Sequence, residues 1–531
     1  MVPEAASIPE LIVWSTDTHG DDVAVRDGDV TLTYRELRKR VDTAARAIVD
    51  SGIQPGDTVS VWAPNCWQWV VVGLAVSRAG AILVPVNTRL KGPEAAYILG
   101  KARVRLLFVV DGFLGMDYSG SLTDEELPAL TEIVDLVAGG ESSTDISEFT
   151  GRVAPDRTAE LQAEVDARSE AVNPDDIALI MFTSGTTGHP KGVLVRGGVV
   201  IRAFWGYSQA LTVGRGDPYL LVNPYFHAFG YNSGIIICLL HGAINLPVAV
   251  FEPGEVLALI ERERVAVFPG PPALFQGLLN HPDLDDYDIS SLRACVTGAA
   301  AIPVDLVVAM RERLGFETIL TAYGMTETSG LASHTRPGDP ADLVASTSGC
   351  AIPDVELRIV ADDGSEAATG EPGELHVRGF QVTPGYLDDQ EQTDEAIDAD
   401  GWLHTGDVAT MNADGYIDIT DRMKDMFIVG GFNAYPAEIE RQLTEHPEIG
   451  MAAVIGIPDE RLGEVGAAFV VATPSGAPDE AAIVAWCRER MANYKVPRRV
   501  WVVEDLPMNA SNKVKKQDLR GTASELFKAG G

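Results

Sequence analysis

The sequence predicts an α/β protein: a large N-terminal domain of two helix-covered sheets plus a small β-region, then a separate α+β domain at the C-terminus. Three observations predict it. Apolar strand-like runs alternate with helical segments through the first part of the chain, the pattern of parallel strands covered by helices. From about residue 356 the runs shorten and Gly/Asp turns separate them, as in a small antiparallel region. Beyond residue 421 a strand–helix–strand–strand–helix–strand order fills a stretch large enough to fold by itself. The domain boundaries drawn on this basis are 1–422 and 423–531.

Each element has a local reason. Thr33 and Glu36 form a capping box; Leu37, Val41, Ala44, Ala45 and Ile48 follow at helical spacing, and Gly52 stops the helix. Residues 58–63 read as a buried strand, 67–78 as a helix ending at Gly80, and 81–86 as the next strand. The polar stretch 141–144 reads as a surface excursion. Further strands are expected at 177–182, 219–222, 265–268, 292–296 and 318–320, and short ones at 374–377 and 416–419. The last domain is expected to run strand 426–429, helix 436–443, strands 451–455 and 467–472, helix 480–490 and strand 499–503.

Composition narrows the function. With 531 residues, 46% hydrophobic and 22% charged, the chain is an ordinary globular one with room for sizeable cores. The apolar run 235–240 ends at His241 and Gly242, too short for a membrane span, so no integral membrane association is expected. The first residues lack the basic start and apolar core of a secretory signal. Cys66, Cys238, Cys295, Cys350 and Cys487 lie far apart without CxxC pairing, which points to reduced thiols in a cytoplasm rather than disulfides or zinc. A formal net charge of −36 repels nucleic acid and anionic lipid, and it obliges any anionic ligand to find locally placed donors and cations.

One segment supplies such donors. Thr183-Ser184-Gly185-Thr186-Thr187-Gly188-His189-Pro190-Lys191-Gly192 directly follows the apolar run 177–182. Its glycines let the backbone turn tightly so that successive N–H groups can face one anion, its hydroxyls add donors, and Lys191 adds positive charge. A Gly/Ser/Thr surface loop would have the same composition. The segment is neither a Walker A motif, since Gly192 stands where Ser or Thr is required, nor GxGxxG.

This segment resembles the phosphate loop of the adenylate-forming superfamily of acyl-CoA synthetases, luciferases and peptide-synthetase adenylation domains. Further motifs follow in the family's order over nearly the whole chain: NPYFHAFG (223–230), VTGAAAI (296–302), TAYGMTET (321–328), GWLHTGD (401–407), DRMKDMFIVGGFNAYPAEIE (421–440) and PMNASNK (507–513). The resemblance implies an enzyme that uses ATP and Mg2+ to convert a carboxylic acid to an acyl-adenylate, then transfers the acyl group to coenzyme A.

It also implies roles. Glu327 would ligate magnesium, a hard cation suited to carboxylate and phosphate oxygens. Thr183, Ser184, Gly185, Thr186, Thr187, Gly188 and Lys191 would surround the phosphates, with Thr326 beside the α-phosphate and Gly324 and Met325 in the same turn. Tyr323 would stack on adenine against Gly298, Ala299 and Ala300, and Asp407 and Arg422 would bind the ribose. Lys513 would stabilise the charge built up when carboxylate meets α-phosphate. Asn512 precedes it where the family has glycine; asparagine tolerates the left-handed backbone such a loop can need.

His227, Tyr231, Asn232, Ala301 and Leu331 would bound a mainly apolar acyl pocket suited to a medium-sized or alicyclic acid. The C-terminal domain is expected to be mobile about a hinge at Lys424, delivering Lys513 in one state and the Gly430-Gly431-Phe432 side of a coenzyme A tunnel in the other. Residues 226–243 and 267–282 resemble the subgroup of these ligases that activates a bicyclic propanoate left by steroid-ring degradation. Medium-chain fatty or aryl acids stay open as substrates, as do a stand-alone adenylation enzyme loading a carrier protein and a homodimer.

Overall fold

The computed structural model describes residues 4–137, 144–183, 189–298, 302, 304–361, 363–422, 427–434, 436–473, 476, 479–507, 514, 516–529. The chain forms two compact units. One comprises Met1–Thr88, Ala96–Met181 and Gly192–Thr420; the other comprises Arg89–Ala95, Phe182–Lys191 and Asp421–Gly531.

The first unit is built around two large sheets. One runs Thr144–Asp145, Glu132–Asp135, Leu106–Val109, Thr58–Trp62, Ile82–Pro85, Ile177–Thr183, Lys191–Arg196 in spatial order. Its central pairs are parallel, and Thr58–Trp62 is buried along its whole length. The helices beside it start where the sequence says they should. Thr33 Oγ1 accepts the Glu36 N–H and the Glu36 carboxylate accepts the Thr33 N–H, so Tyr34–Asp50 begins with two of its free donors satisfied.

The other sheet aligns Val30–Thr33, Val23–Asp27, Ile244–Pro247 and Pro218–Leu221. Single bridges at Val267, to Tyr219 and to Ala294, connect it to Ala294–Gly298, Thr318–Tyr323, Ser333–His334 and Cys350–Ala351. The strand expected at 265–268 is therefore reduced to one bridged residue. Phe268 precedes Pro269, and prolines at 271 and 272 follow, so the chain cannot continue the ladder. A smaller antiparallel sheet orders Val355–Val360, Gly373–Gly379, Leu403–Met411 and Ile417–Arg422. Of the polar stretch 141–144, only Thr144 lies among the described residues, and it pairs with Val134.

The second unit has a sheet ordered Phe432–Ala434, Phe427–Val429, Gly463–Ala472, Ile449–Asp459, with Arg499–Val503 pairing in parallel with Gly463–Ala472. Helices Pro436–Thr444 and Glu480–Arg490 and the strand Arg499–Val503 fall where periodicity places them. Phe427, Ile439, Val454, Phe469 and Ile483 form its separate apolar core. Within this unit the buried ammonium of Lys495 lies 2.7 Å from both the Glu94 and Glu438 carboxylates, which compensates its charge.

Candidate active site

The strand Thr318–Tyr323 ends in a loop closed on itself. Met325 donates its N–H to Thr328 Oγ1 at 3.0 Å, and Gly330 donates to the Met325 carbonyl at 2.9 Å. Gly324 fits this closure because a Cβ there would lie 2.4 Å from the Gly330 carbonyl oxygen. Ser329 adopts a left-handed φ of 54°, an uncommon state for a residue with a side chain. The loop carries Thr326 and Glu327. Glu327 is buried; its carbonyl accepts the Thr383 N–H at 2.7 Å and its Oε1 accepts the Tyr386 hydroxyl at 3.0 Å.

Asp407 comes from the small antiparallel sheet. It is 2% exposed, and its Oδ2 accepts the Tyr323 hydroxyl at 2.6 Å. That bond joins the loop bearing Glu327 to the strand bearing Asp407, and it fixes the direction in which the Tyr323 ring stands. Gly298, on the strand next to Tyr323, is tightly packed: a Cβ there would meet the Ala322 carbonyl oxygen at 2.9 Å. Strand packing alone thus accounts for glycine at that position. Ala299, Ala300 and Ala301 lie outside the described residues.

The acyl-pocket candidates approach the same loop. His227 caps the short turn Ala228–Gly230, its Nδ1 accepting the Phe229 N–H at 3.2 Å. The ring is accessible at its edge yet hemmed in by protein, and this loss of water lowers its pKa, keeping it neutral near pH 7. In that form Nδ1 is the acceptor and Nε2 carries the proton.

Tyr231–Ile236 is a π-helix, a wide turn that commonly marks functional sites. Tyr231 is fully buried against Trp69, the ring centroids 5.8 Å apart, and burial raises its phenol pKa. Asn232, also fully buried, donates its side-chain amide to the Ser329 carbonyl at 2.9 Å. Leu331 is buried beside them, and a Cβ on Gly330 would lie 2.8 Å from the Ala228 methyl.

The remaining candidates divide between the second unit and the residues not described. Thr183 ends one strand and Lys191 begins its neighbour, and the segment Phe182–Lys191 groups with the second unit. Ser184, Gly185, Thr186, Thr187 and Gly188 lie outside the described residues, as do Lys424, Asn512 and Lys513. Arg422 is the last residue of the strand Ile417–Arg422. Gly430 and Gly431, with φ of 56° and 86°, form the two-residue turn of the hairpin that pairs Val429 with Phe432. The Phe432 ring stacks on Tyr494 at 5.0 Å.

Sequence reasoning missed Tyr386, which holds Glu327, and Glu374, whose Oε1 accepts the Gly406 N–H at 3.0 Å. No periodic or spacing signal marks either one. The Pro-Gly pair before Tyr386 marks a turn but not its partner.

Comparison with known proteins agrees with this arrangement. Residues 12–387 match the model of the AMP-binding enzyme family, and residues 438–513 match that of the AMP-binding enzyme C-terminal domain. The chain belongs to the AMP-binding enzyme family. It is 46% identical over 530 residues to the 3-[(3aS,4S,7aS)-7a-methyl-1,5-dioxo-octahydro-1H-inden-4-yl]propanoyl:CoA ligase of Rhodococcus jostii (strain RHA1), covering 98% of this chain and 99% of that one. It is likewise 46% identical over 523 residues to the ligase of the same name from Mycobacterium tuberculosis, with 98% and 99% covered. Among solved structures, the amide bond synthetase McbA from Marinactinospora thermotolerans superposes with a TM-score of 0.83 at 29% identity, over 97% of this chain and 99% of that one. No helix among the described residues is long and apolar enough to cross a membrane.

Proposed function

We propose that this chain is an AMP-forming acid–thiol ligase that activates a bicyclic, steroid-ring-derived propanoate with ATP and transfers the acyl group to coenzyme A. The substrate assignment is supported by 46% identity over nearly the full length to two ligases named for that acid. The geometric observation that carries the reading is the 2.6 Å bond from Tyr323 to Asp407, which places a buried carboxylate beside the loop of Glu327.

In the first half-reaction a substrate carboxylate oxygen attacks the α-phosphorus and pyrophosphate leaves. Asp407, with one oxygen held by Tyr323, accepts hydrogen bonds from the ribose hydroxyls, as carboxylates do in other nucleotide folds. The Tyr323 ring flanks the base opposite Gly298, Ala299 and Ala300. Thr326, the 183–188 loop and Lys191 supply donors and charge to the phosphates, and Lys513 offsets the negative charge that grows between the reacting anions. The buried Glu327 carboxylate, steadied by Tyr386, belongs to an all-oxygen donor set that suits Mg2+, which offsets phosphate charge when bound there. In the second half-reaction the coenzyme A sulfur attacks the acyl carbonyl, AMP leaves and the thiol proton is released. Gly430, Gly431 and Phe432 line the path of the pantetheine arm, and residues about Lys424 absorb the change between states. The five unpaired thiols suit a reducing cytoplasm, where we place the enzyme.

Pyrophosphate release tests this reading, measured with the bicyclic propanoate, a medium-chain fatty acid and an aryl acid, with coenzyme A or an amine as acceptor. Release should be fastest with the bicyclic acid and should end in a thioester. Faster turnover of the fatty or aryl acid would overturn the substrate assignment. An amide product without thioester would overturn the acceptor.

A further inference from the structure

Asp407 stands in a break in its ladder. Glu374 pairs with Val408 and His376 pairs with His404, so three residues, 405–407, face Leu375 alone. Such a bulge frees backbone donors that must be satisfied elsewhere. Gly406, at φ 70°, donates its N–H to Glu374 Oε1 at 3.0 Å. Asp407 donates its N–H to Thr405 Oγ1 at 3.1 Å, and that hydroxyl donates to the Leu375 carbonyl at 2.7 Å.

Glu374 is itself pinned. Its Oε2 lies 3.0 Å from His376 Nε2, and His376 Nδ1 lies 3.2 Å from the Arg358 guanidinium. A guanidinium only donates, so Nδ1 accepts and Nε2 carries the proton toward Glu374. The hydrogen bond from His376 holds the Glu374 carboxyl below its ordinary pKa. Glu374, His376 and His404 also bring ligand-type atoms within 4.8 Å of one another. The two imidazoles, however, stack with centroids 4.1 Å apart and planes 26° apart. Their in-plane lone pairs therefore point side by side rather than at one ion, and both nitrogens of His376 have hydrogen-bond partners. The cluster is a hydrogen-bonded brace.

We propose that Glu374 is a positioning residue for nucleotide recognition: by accepting the Gly406 N–H inside the bulge, it aims the Asp407 carboxylate at the ribose hydroxyls. This rests on the reading of Asp407 as the ribose ligand. The test compares ATP with 2′,3′-dideoxy-ATP in pyrophosphate release by the full chain and its Asp407→Ala, Glu374→Ala and Glu374→Gln variants, with a melting curve for each. Glu374→Ala should raise KM for ATP about 10-fold while kcat changes less than about 2-fold, and the preference for ATP over the dideoxy analogue should shrink to match. Glu374→Gln, whose amide oxygen still accepts the Gly406 N–H, should recover most of that preference.

An unchanged preference in Glu374→Ala, beside a collapsed one in Asp407→Ala, would overturn the role of Glu374 alone. So would a Gln variant no better than the Ala variant. An unchanged preference in Asp407→Ala would overturn the ribose reading itself. If Glu374→Ala melts below the assay temperature, Glu374→Asp takes its place: one methylene shorter, it should weaken the preference, and an unaltered ratio would refute the role.

Discussion

The side-chain amide of Asn232 donates a 2.9 Å hydrogen bond to the Ser329 carbonyl, tying the π-helix Tyr231–Ile236 to the loop that carries Glu327. Ser329 needs that tie. Its left-handed backbone costs on the order of 1 kcal/mol, and the surrounding contacts must hold it there. Its hydroxyl donates to the Gln381 carbonyl at 2.9 Å, a second restraint.

Replacing Asn232 by alanine leaves the Ser329 carbonyl without this buried partner. Stability should fall by about 1–3 kcal/mol, read from urea denaturation. Adenylate formation should fall with it, because the Glu327 loop loses a brace. Unaltered stability would show that the loop does not depend on this bond.

Glu327→Gln keeps the shape of the side chain and removes its charge. Pyrophosphate exchange should fall by about 100-fold or more, and the Mg2+ concentration for half-maximal rate should rise. Tyr386→Phe removes only the hydroxyl bonded to Glu327 and should cost less, about 5- to 10-fold. Equal losses in the two variants would contradict a direct role for the Glu327 charge.

Stability should decline on the acid side of neutrality. Burial lowers the His241 pKa from 6.5 to about 4, while its ring stacks on Trp205 at 5.1 Å and its Nε2 lies 2.7 Å from Ser208 Oγ. The unfolded chain binds the proton more readily than the folded one, so the contribution is intact above pH 6.5 and drains away as pH falls toward about 4. The full loss is about 3 kcal/mol at most for this one ring. Burial lowers His19 and His334 in the same sense. Denaturant midpoints measured from pH 8 to pH 4 check this, and His241→Gln should flatten the curve.

The two half-reactions should separate genetically. Gly431 has φ 86° in its hairpin turn, so a leucine there would strain the backbone as well as obstruct a pantetheine arm. Asparagine tolerates that conformation. Gly431→Asn should therefore keep its melting temperature and adenylate formation yet slow thioester formation by about 10-fold or more. Lys513→Ala should do the reverse, sparing thioester formation from supplied acyl-adenylate. Loss of the same step in both variants would refute the division.

Local chemistry was the legible part of this chain. The Thr33–Glu36 capping box and the elements Glu480–Arg490 and Arg499–Val503 rest on neighbours in sequence, and they form where read. Residues 226–242 gave no phase, because a segment apolar on all sides has no periodicity to betray a π-helix. The site depended on resemblance. Glu327 and Asp407 looked like turn carboxylates until the motifs around them were set in order. Their supports stayed invisible because the partners are far apart: Tyr386 is 59 residues from Glu327, and Glu374 is 32 from Gly406. Such pairs exist only once sheets have formed.

A helix whose hydrogen bonds close over five residues instead of four contains length to spare. Deleting one residue from Tyr231–Ile236 would let the backbone relax to the ordinary α-helical winding while turning everything beyond the cut by about 100° relative to what precedes it. Insertions of this kind act as vernier settings on a protein wall. Among the ligases of this family, gain or loss of a single codon here would re-aim the amide that reaches Ser329 without disturbing any sheet.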